Sequence, residues 1–181
     1  MTGRLIGVVG PSGVGKDSVM AGLVEADPQL ALVRRTITRE PELGGEDYTP
    51  ATQAAFDRLV AKGAFCLHWQ AHGLSYGIPA EVRDQVGQGA HLLVNLSRRV
   101  LNEAETVVPR FEVLNITAAP ETLARRLAQR GRETPDDIRA RLARSVDLPR
   151  GLTIHIVAND GPLSKTIATA LALLKPERVH P

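Results

Sequence analysis

The sequence predicts an α/β fold around a mainly parallel central sheet flanked by helices, on three observations. Short apolar runs alternate with stretches of helical spacing along 181 residues. The later runs are short and continuous in the manner of strands buried on both faces. The glycine-rich segment GPSGVGKD, residues 10–17, lies between the first run and the first helical stretch.

Residues 4–9 (RLIGVV) form the first strand. Residues 16–25 (KDSVMAGLVE) continue as a helix until Pro28 ends it. Residues 32–38 (LVRRTIT) read as a second strand, followed by a polar loop over 39–50 that carries Gly44, Gly45 and two prolines. A helix over about 52–61 passes through Lys62-Gly63 into a strand over 65–71 (FCLHWQA), which turns at His72-Gly73 towards Tyr76-Gly77. A helix follows over 79–86. Runs 91–96 (HLLVNL) and 111–117 (FEVLNIT) are strands, each leading to a helix. Residues 121–130 and 135–147 are helical and are joined by Gly131-Arg132-Glu133-Thr134; a strand over 153–158 and a helix over 163–174 complete the pattern. Residues 39–78 break the alternation, since two strand-like pieces flank a helix there. The expected organisation is one domain with a core of about 1–38 and 79–181, an inserted lobe of about 39–78, and right-handed crossovers.

Apolar residues make up 43% and charged residues 23%, values of a globular protein with a full core. No apolar run approaches the roughly 18 to 20 residues a membrane helix needs. The amino terminus enters an organised motif at once, leaving no room for a signal peptide, so the expected location is cytoplasmic without membrane partners. The one cysteine, Cys66, excludes an internal disulfide and a cysteine metal cage. Net charge is +2, too small for a nucleic-acid partner held by counterion release. Only 4 of the 22 Lys and Arg residues are lysine, a bias that suits forked phosphate recognition and equally reflects base composition. The sequence leaves the oligomeric state, a homodimer included, open.

A glycine-rich turn between a strand and a helix aims backbone N–H groups and the helix dipole at an anion. Gly10, Gly13 and Gly15 let the chain curl without Cβ clashes, Pro11, Ser12 and Val14 supply the intervening amides or spacing, and Lys16 reaches phosphates as a point charge. The position after the lysine is normally Ser or Thr and here is Asp17. Its carboxylate is a hard ligand suited to Mg²⁺, or else a first-turn acid that complements the helix dipole; Ser18 is rotated about 100° away. No DxxG or NKxD segment is in place, and Asn159-Asp160 comes too late and lacks the lysine, which excludes a GTPase switch. A small-molecule kinase needs arginines at the acceptor and a closing arginine-bearing lid. Arg39 opens the glycine-containing loop, and Arg126, Arg130, Arg132, Arg139, Arg141 and Arg144 crowd residues 121–147. About half of that crowd belongs to an ordinary charged surface.

Taken together, GPSGVGK, TITR ending at Arg39, Gly45-Glu46-Asp47-Tyr48, Tyr76-Gly77, RLAQRGRE and VANDG resemble the guanylate kinase family over nearly the whole chain. The resemblance implies a P-loop kinase fold with an inserted acceptor-binding lobe, an arginine-rich lid over about 126–141, and the use of ATP and Mg²⁺. It implies that Arg39, Tyr48 and Tyr76 contact the acceptor's phosphate, Arg126 and Arg130 the ATP phosphates, Arg141 the transferring group, and Asn159 the base. Several positions depart from that family where guanine is read: Glu42 replaces a second arginine, His68 an acid, and Val94-Asn95-Leu96-Ser97 an aspartate pair. Losing those groups removes the hydrogen bonds that reject other bases. With GKD, ITR, the YG turn, VN.S and RGRE, the chain is similar to the ribose 1,5-bisphosphate phosphokinases of phosphonate breakdown, a branch of the guanylate kinase group. That resemblance implies phosphoryl transfer from ATP to the 1-phosphate of ribose 1,5-bisphosphate, giving phosphoribosyl diphosphate. His68, His72 and Ser97 are then the candidate sugar contacts. A guanylate kinase and a non-catalytic binding module are the competing expectations, the second disfavoured by the intact Lys16 and glycines. His68 and His72 lie on a strand and turn, which favours packing over metal binding, and Trp69 and Phe65 are expected as core of the small lobe.

Overall fold

The computed structural model describes residues 3–40, 46–130 and 147–175. Five strands form the main sheet in the order β2-β7-β1-β8-β9, all neighbours parallel. They are β1 (Arg4–Val9), β2 (Leu30–Leu32), β7 (His91–Asn95), β8 (Phe111–Thr117) and β9 (Ile154–Ala158). Every residue of β1 is buried because both sheet faces are covered. Alternate side chains therefore serve two cores. Leu5 and Val9 join Leu92, Val94 and Val113 on one face, with helices α3 (Glu81–Gly87) and α4 (Leu101–Val107) packed against them. Ile6 and Val8 join Leu93, Leu114 and Ile116 on the other, beneath α1 (Lys16–Ala26) and the last described helix, α6 (Leu163–Leu174). Each such full burial stabilises by about 1.5–3 kcal/mol. Helices α1 and α6 approach so closely that a Cβ on Gly22 would stand 2.2 Å from Ile167 Cδ1.

Residues 32–38 do not form the single strand expected from the sequence. Leu30–Leu32 pairs with β7 in the main sheet, whereas β3 (Thr36–Ile37) pairs in a second sheet, so the chain crosses between sheets over residues 33–35. Val33 and Arg35 are both buried on the way. The second sheet runs β4-β3-β6-β5, with β4 (Thr49–Pro50), β5 (Phe65–Ala71) and β6 (Leu74–Pro79). His72 and Gly73 join β5 to β6 with φ of 52° and 75°, the left-handed pair of a two-residue hairpin turn. Helix α2 (Gln53–Ala61) begins where Thr52 accepts from Ala55 N at 3.2 Å, and Phe56 stacks on Phe65 at 4.9 Å. Leu67 and Ile78 reach the main core beside Val100 and Leu101, which ties the second sheet to α4. Pro79 ends β6 rather than opening the helix expected over 79–86, which starts at Glu81.

At the amino ends of the parallel strands, Arg4 bonds Glu112 at 2.9 Å and the carbonyl of Leu174, and His155 Nε2 lies 3.1 Å from the same carboxylate. The expected helix over 121–130 is α5 (Pro120–Arg130). The expected helix over 135–147 lies outside the described residues, except for Asp147. Among the described residues no helix is long and apolar enough to cross a membrane.

Candidate active site

β1 ends at Val9, at the carboxyl edge of the sheet, where ligands of open α/β sheets collect. The glycine loop springs from there. Gly13 and Gly15 take φ of 81° and 90°, and Gly15 hands the chain directly into α1. Such a sequence of N–H groups forms an anion-binding concavity in front of a helix N-terminus. Lys16 Nζ folds back over the loop, donating to Gly10 O at 3.0 Å and Pro11 O at 3.4 Å. Gly10 packs so tightly on β8 that a Cβ would lie 2.5 Å from Ile116 O.

A brace from the far side fixes the loop. Val14 is fully buried, and its carbonyl accepts from Asn159 Nδ2 at 2.8 Å and Arg126 Nη1 at 3.3 Å. Asn159 Oδ1 accepts from Thr166 Oγ1 at 2.8 Å, and Arg126 Nη2 donates to Asn159 O at 2.8 Å. Asn159, only 5% exposed, thus has both ends of its amide engaged inside the protein, and in this structure it holds the loop. Next to it, Asp160 accepts from Ala119 N at 2.8 Å, and that bond foremost, with one from Thr122, holds its carboxyl below the usual range.

Asp17 stands exposed in the first turn of α1, with Oδ1 3.4 Å from Asn95 Nδ2 at the end of β7. Among the described residues no three His, Cys, Asp or Glu side chains gather as a metal cage. Mg²⁺ carried by phosphate oxygens and water asks for only one or two carboxylates, so Asp17 beside the loop fits that ion. Pro11, Ser12 and Ser18 lie at the loop or first turn, Ser12 and Ser18 exposed.

On the second sheet, Arg39 and Tyr48 are brought together, the guanidinium 5.9 Å from the ring centroid, with Tyr48 Oη donating to Glu40 O at 2.6 Å. Tyr76 is buried in a different cluster. It stacks on Trp69 at 5.2 Å under Arg35, whose guanidinium is 5.1 Å from the Tyr76 ring and makes a forked ion pair with Glu46. His68 is exposed on β5 opposite Gly77. Ser97 accepts from Arg99 N at 3.4 Å and caps the helical turn that follows β7. Arg130 closes α5, its side chain outside the described residues, as are Glu42 and Arg141 altogether.

The guanylate kinase family model matches residues 2–169. The chain is 54% identical to the ribose 1,5-bisphosphate phosphokinase PhnN of a Ruegeria species, over 97% of this chain and 94% of that one. It is 42% identical to the enzyme of the same name from Pseudomonas paraeruginosa, over 98% of each. The chain belongs to the ribose 1,5-bisphosphate phosphokinase branch of the guanylate kinase family. The guanylate kinase of Anaplasma phagocytophilum shares its fold, with a TM-score of 0.71 over 96% of this chain and 88% of that one at 18% identity.

In this member of the family, the structure adds residues that the sequence reading did not single out. Thr166 and the Val14 carbonyl complete the loop brace. Arg35 and Glu46 anchor the second sheet to the segment that holds Tyr48. Arg35 was discoverable in principle, since two consecutive arginines in a strand-like run must send one of them inward. Asn115 in FEVLNIT was discoverable too, as a polar residue near the carboxyl end of an otherwise apolar strand. It is 7% exposed and accepts from Arg98 Nη2 at 3.4 Å.

Proposed function

We propose that the protein transfers the γ-phosphoryl group of ATP to the 1-phosphate of ribose 1,5-bisphosphate, giving 5-phosphoribosyl 1-diphosphate and ADP. The observation that carries this reading is the 54% identity to the Ruegeria phosphokinase across 97% of the chain. The braced glycine loop with Lys16 and Asp17 at its end supports it. An oxygen of the acceptor's 1-phosphate bonds to the γ-phosphorus as the bond to the β–γ bridging oxygen breaks, and that oxygen leaves with ADP. The attacking oxygen is already ionised at neutral pH, so positioning and charge neutralisation set the rate, without a side-chain base.

Lys16 and the loop amides hold the donor's phosphates, helped by Arg126, Arg130 and Arg141; Arg39, Tyr48 and Tyr76 hold the acceptor's phosphate, and His68 and Ser97 face the sugar. Asn159 stands at the donor's base while bracing Val14. Bound Mg²⁺, held chiefly by the donor's phosphates, supplies neutralisation of the charge that shifts during transfer, and Asp17 is the carboxylate offered to it. A well-aimed cationic donor such as Lys16 lowers the barrier by about 3 kcal/mol. The inserted lobe of about 39–78 takes the acceptor, and the arginine-rich lid of about 126–141 belongs over the phosphates.

An ADP-release assay with ATP and Mg²⁺ tests the reading by comparing ribose 1,5-bisphosphate, GMP, AMP and no acceptor. Turnover with the sugar bisphosphate alone, yielding phosphoribosyl diphosphate, is expected. Turnover with GMP alone would sink it in favour of a guanylate kinase, and silence with all acceptors in favour of a binding module.

A further inference from the structure

Arg39 and Tyr48 form one cluster on the second sheet, whereas Tyr76 is stacked on Trp69 in another. One buried side chain touches both. Arg35 lies where the chain crosses from the main sheet to β3, and Ile37, two positions on, pairs with Tyr76 in β6, so alternation favours the Tyr76 face for Arg35. Its guanidinium stands 5.1 Å from the Tyr76 ring centroid and 5.9 Å from that of Trp69. The same guanidinium makes the forked pair with Glu46, two residues before Tyr48, with Nε donating at 2.7 Å. The backbone carbonyl of Arg35 accepts from Thr49 N, one residue after Tyr48, at 2.8 Å. Tyr48 is therefore bracketed along the chain by bonds to a single residue. The fork is sheltered, its side chains 7% and 20% exposed, whereas the neighbouring Arg34–Asp47 pair lies in solvent and is worth at most about 1 kcal/mol. β4 itself has two exposed residues and pairs with β3 alone.

We propose that Arg35 is a positioning residue for the acceptor, its guanidinium fixing the Tyr48 segment relative to Tyr76 so that the two clusters act as one phosphate site. The inference rests on the reading above that Arg39, Tyr48 and Tyr76 hold the acceptor's phosphate. Groups that converge on one anion must keep fixed separations, and a misplacement of about 1 Å costs up to about 100-fold. A planar guanidinium suits the task, because one edge carries the carboxylate fork while the group packs over aromatic rings; an ammonium offers no fork. Arg35 is engaged by Glu46 and the two rings, so it acts on the acceptor through the tyrosines. The donor's loop is braced by other residues, Arg126, Asn159 and Thr166, which makes ATP the internal control.

The test compares Arg35→Lys, Glu46→Gln, their double variant and Tyr76→Phe with the wild type. It measures the KM of ribose 1,5-bisphosphate and of ATP, and titrates the sugar bisphosphate calorimetrically into protein saturated with ADP and Mg²⁺. Arg35→Lys keeps the charge and loses the fork; Glu46→Gln keeps the guanidinium beside Tyr76 and loses the charged acceptor. Each is expected to raise the acceptor's KM and Kd by about 5- to 30-fold, with the KM of ATP within about twofold of wild type. Glu46→Gln provides the reading if Arg35→Lys does not fold. A merely structural role would lower the active fraction and so the apparent kcat while leaving both KM values unchanged, a result that overturns the inference, as does an equal rise for ATP. The double variant should stay within about twofold of the worse single, since both changes break one pair, and strictly additive losses would overturn the coupling. Tyr76→Phe separates the inference from the reading beneath it. A raised acceptor KM there alone refutes only the positioning role of Arg35, whereas an unchanged KM in every variant refutes the phosphate assignment as well. A rise in the Arg35 and Glu46 variants without one in Tyr76→Phe also overturns the inference. If wild type phosphorylates GMP and not the sugar bisphosphate, the proposed function fails and the same comparisons are read on GMP; silence with every acceptor refutes both.

Discussion

Gly15→Ala tests whether the loop is held in shape by Asn159 or merely by the strand and helix on either side. Gly15 sits at φ 90° and ψ 31°, a conformation that costs an alanine about 1–2 kcal/mol. Its new Cβ would also stand 2.9 Å from Asn159 Nδ2. That amide cannot swing clear, because Val14 O holds one end and Thr166 Oγ1 the other, each at 2.8 Å. Displacing it weakens a buried bond, adding about 1 kcal/mol. The expected total is about 2–3 kcal/mol, or a fall of about 1–2 M in the urea midpoint for a slope near 1.5–2 kcal/mol/M. Gly63→Ala separates the two contributions, since Gly63 has φ 68° with nothing within 4 Å of its Cβ and should lose the strain portion alone. In a Gly15→Ala/Asn159→Ala double variant the clash is gone, so the cost should fall below the sum of the single variants. If Gly15→Ala loses no more than Gly63→Ala, or if the double variant is strictly additive, the brace has no energetic part in shaping the loop.

Three further outcomes are expected. Lys16→Ala should lower kcat by about 10²- to 10³-fold while the free energy of unfolding stays within about 1 kcal/mol of wild type; unaffected turnover would remove the loop from the mechanism. Arg35→Ala removes a buried guanidinium and leaves the half-buried Glu46 carboxylate without it, and should cost about 2–4 kcal/mol in denaturant unfolding, whereas Arg34→Ala, whose partner Asp47 is exposed, should stay within about 1 kcal/mol; equal losses would refute the Arg35–Glu46 pair as an anchor. For Glu112, burial pushes the pKa up, but Arg4 and, behind it, His155 overcome that and hold it below its ordinary value of 4.5. A depressed acid stabilises the fold above its unfolded pKa and loses that contribution as pH falls through the folded value. The stability gap between wild type and Glu112→Gln should therefore be full at neutral pH and shrink below about pH 4.5, and a gap that is constant down to about pH 3 would refute the pairing.

How much of this was legible from sequence depends on whether a residue's partner is near it in the chain. β1, α1, the β5–β6 turn and α6 were readable because an apolar run, a glycine turn or a helical period is a local property of consecutive residues. The split of residues 32–38 between two sheets was not, since Leu32 and Thr36 have partners in β7 and β6, more than 35 positions away, and a single apolar run gives no sign of a change of sheet. The site divides in the same way. GPSGVGKD declares an anion loop because its backbone must bend within a few residues of its lysine. The side chains that stiffen that loop come from residues 126, 159 and 166, more than a hundred positions later. Asn159 shows why a motif alone misstates such a residue: its position in VANDG suggests a base contact, while its two amide hydrogen bonds give it a second duty within the apoprotein. A substitution there would thus mix a change in nucleotide affinity with a change in loop geometry, and only the Gly15 and Asn159 cycle, which perturbs the loop from both ends of one contact, separates the two.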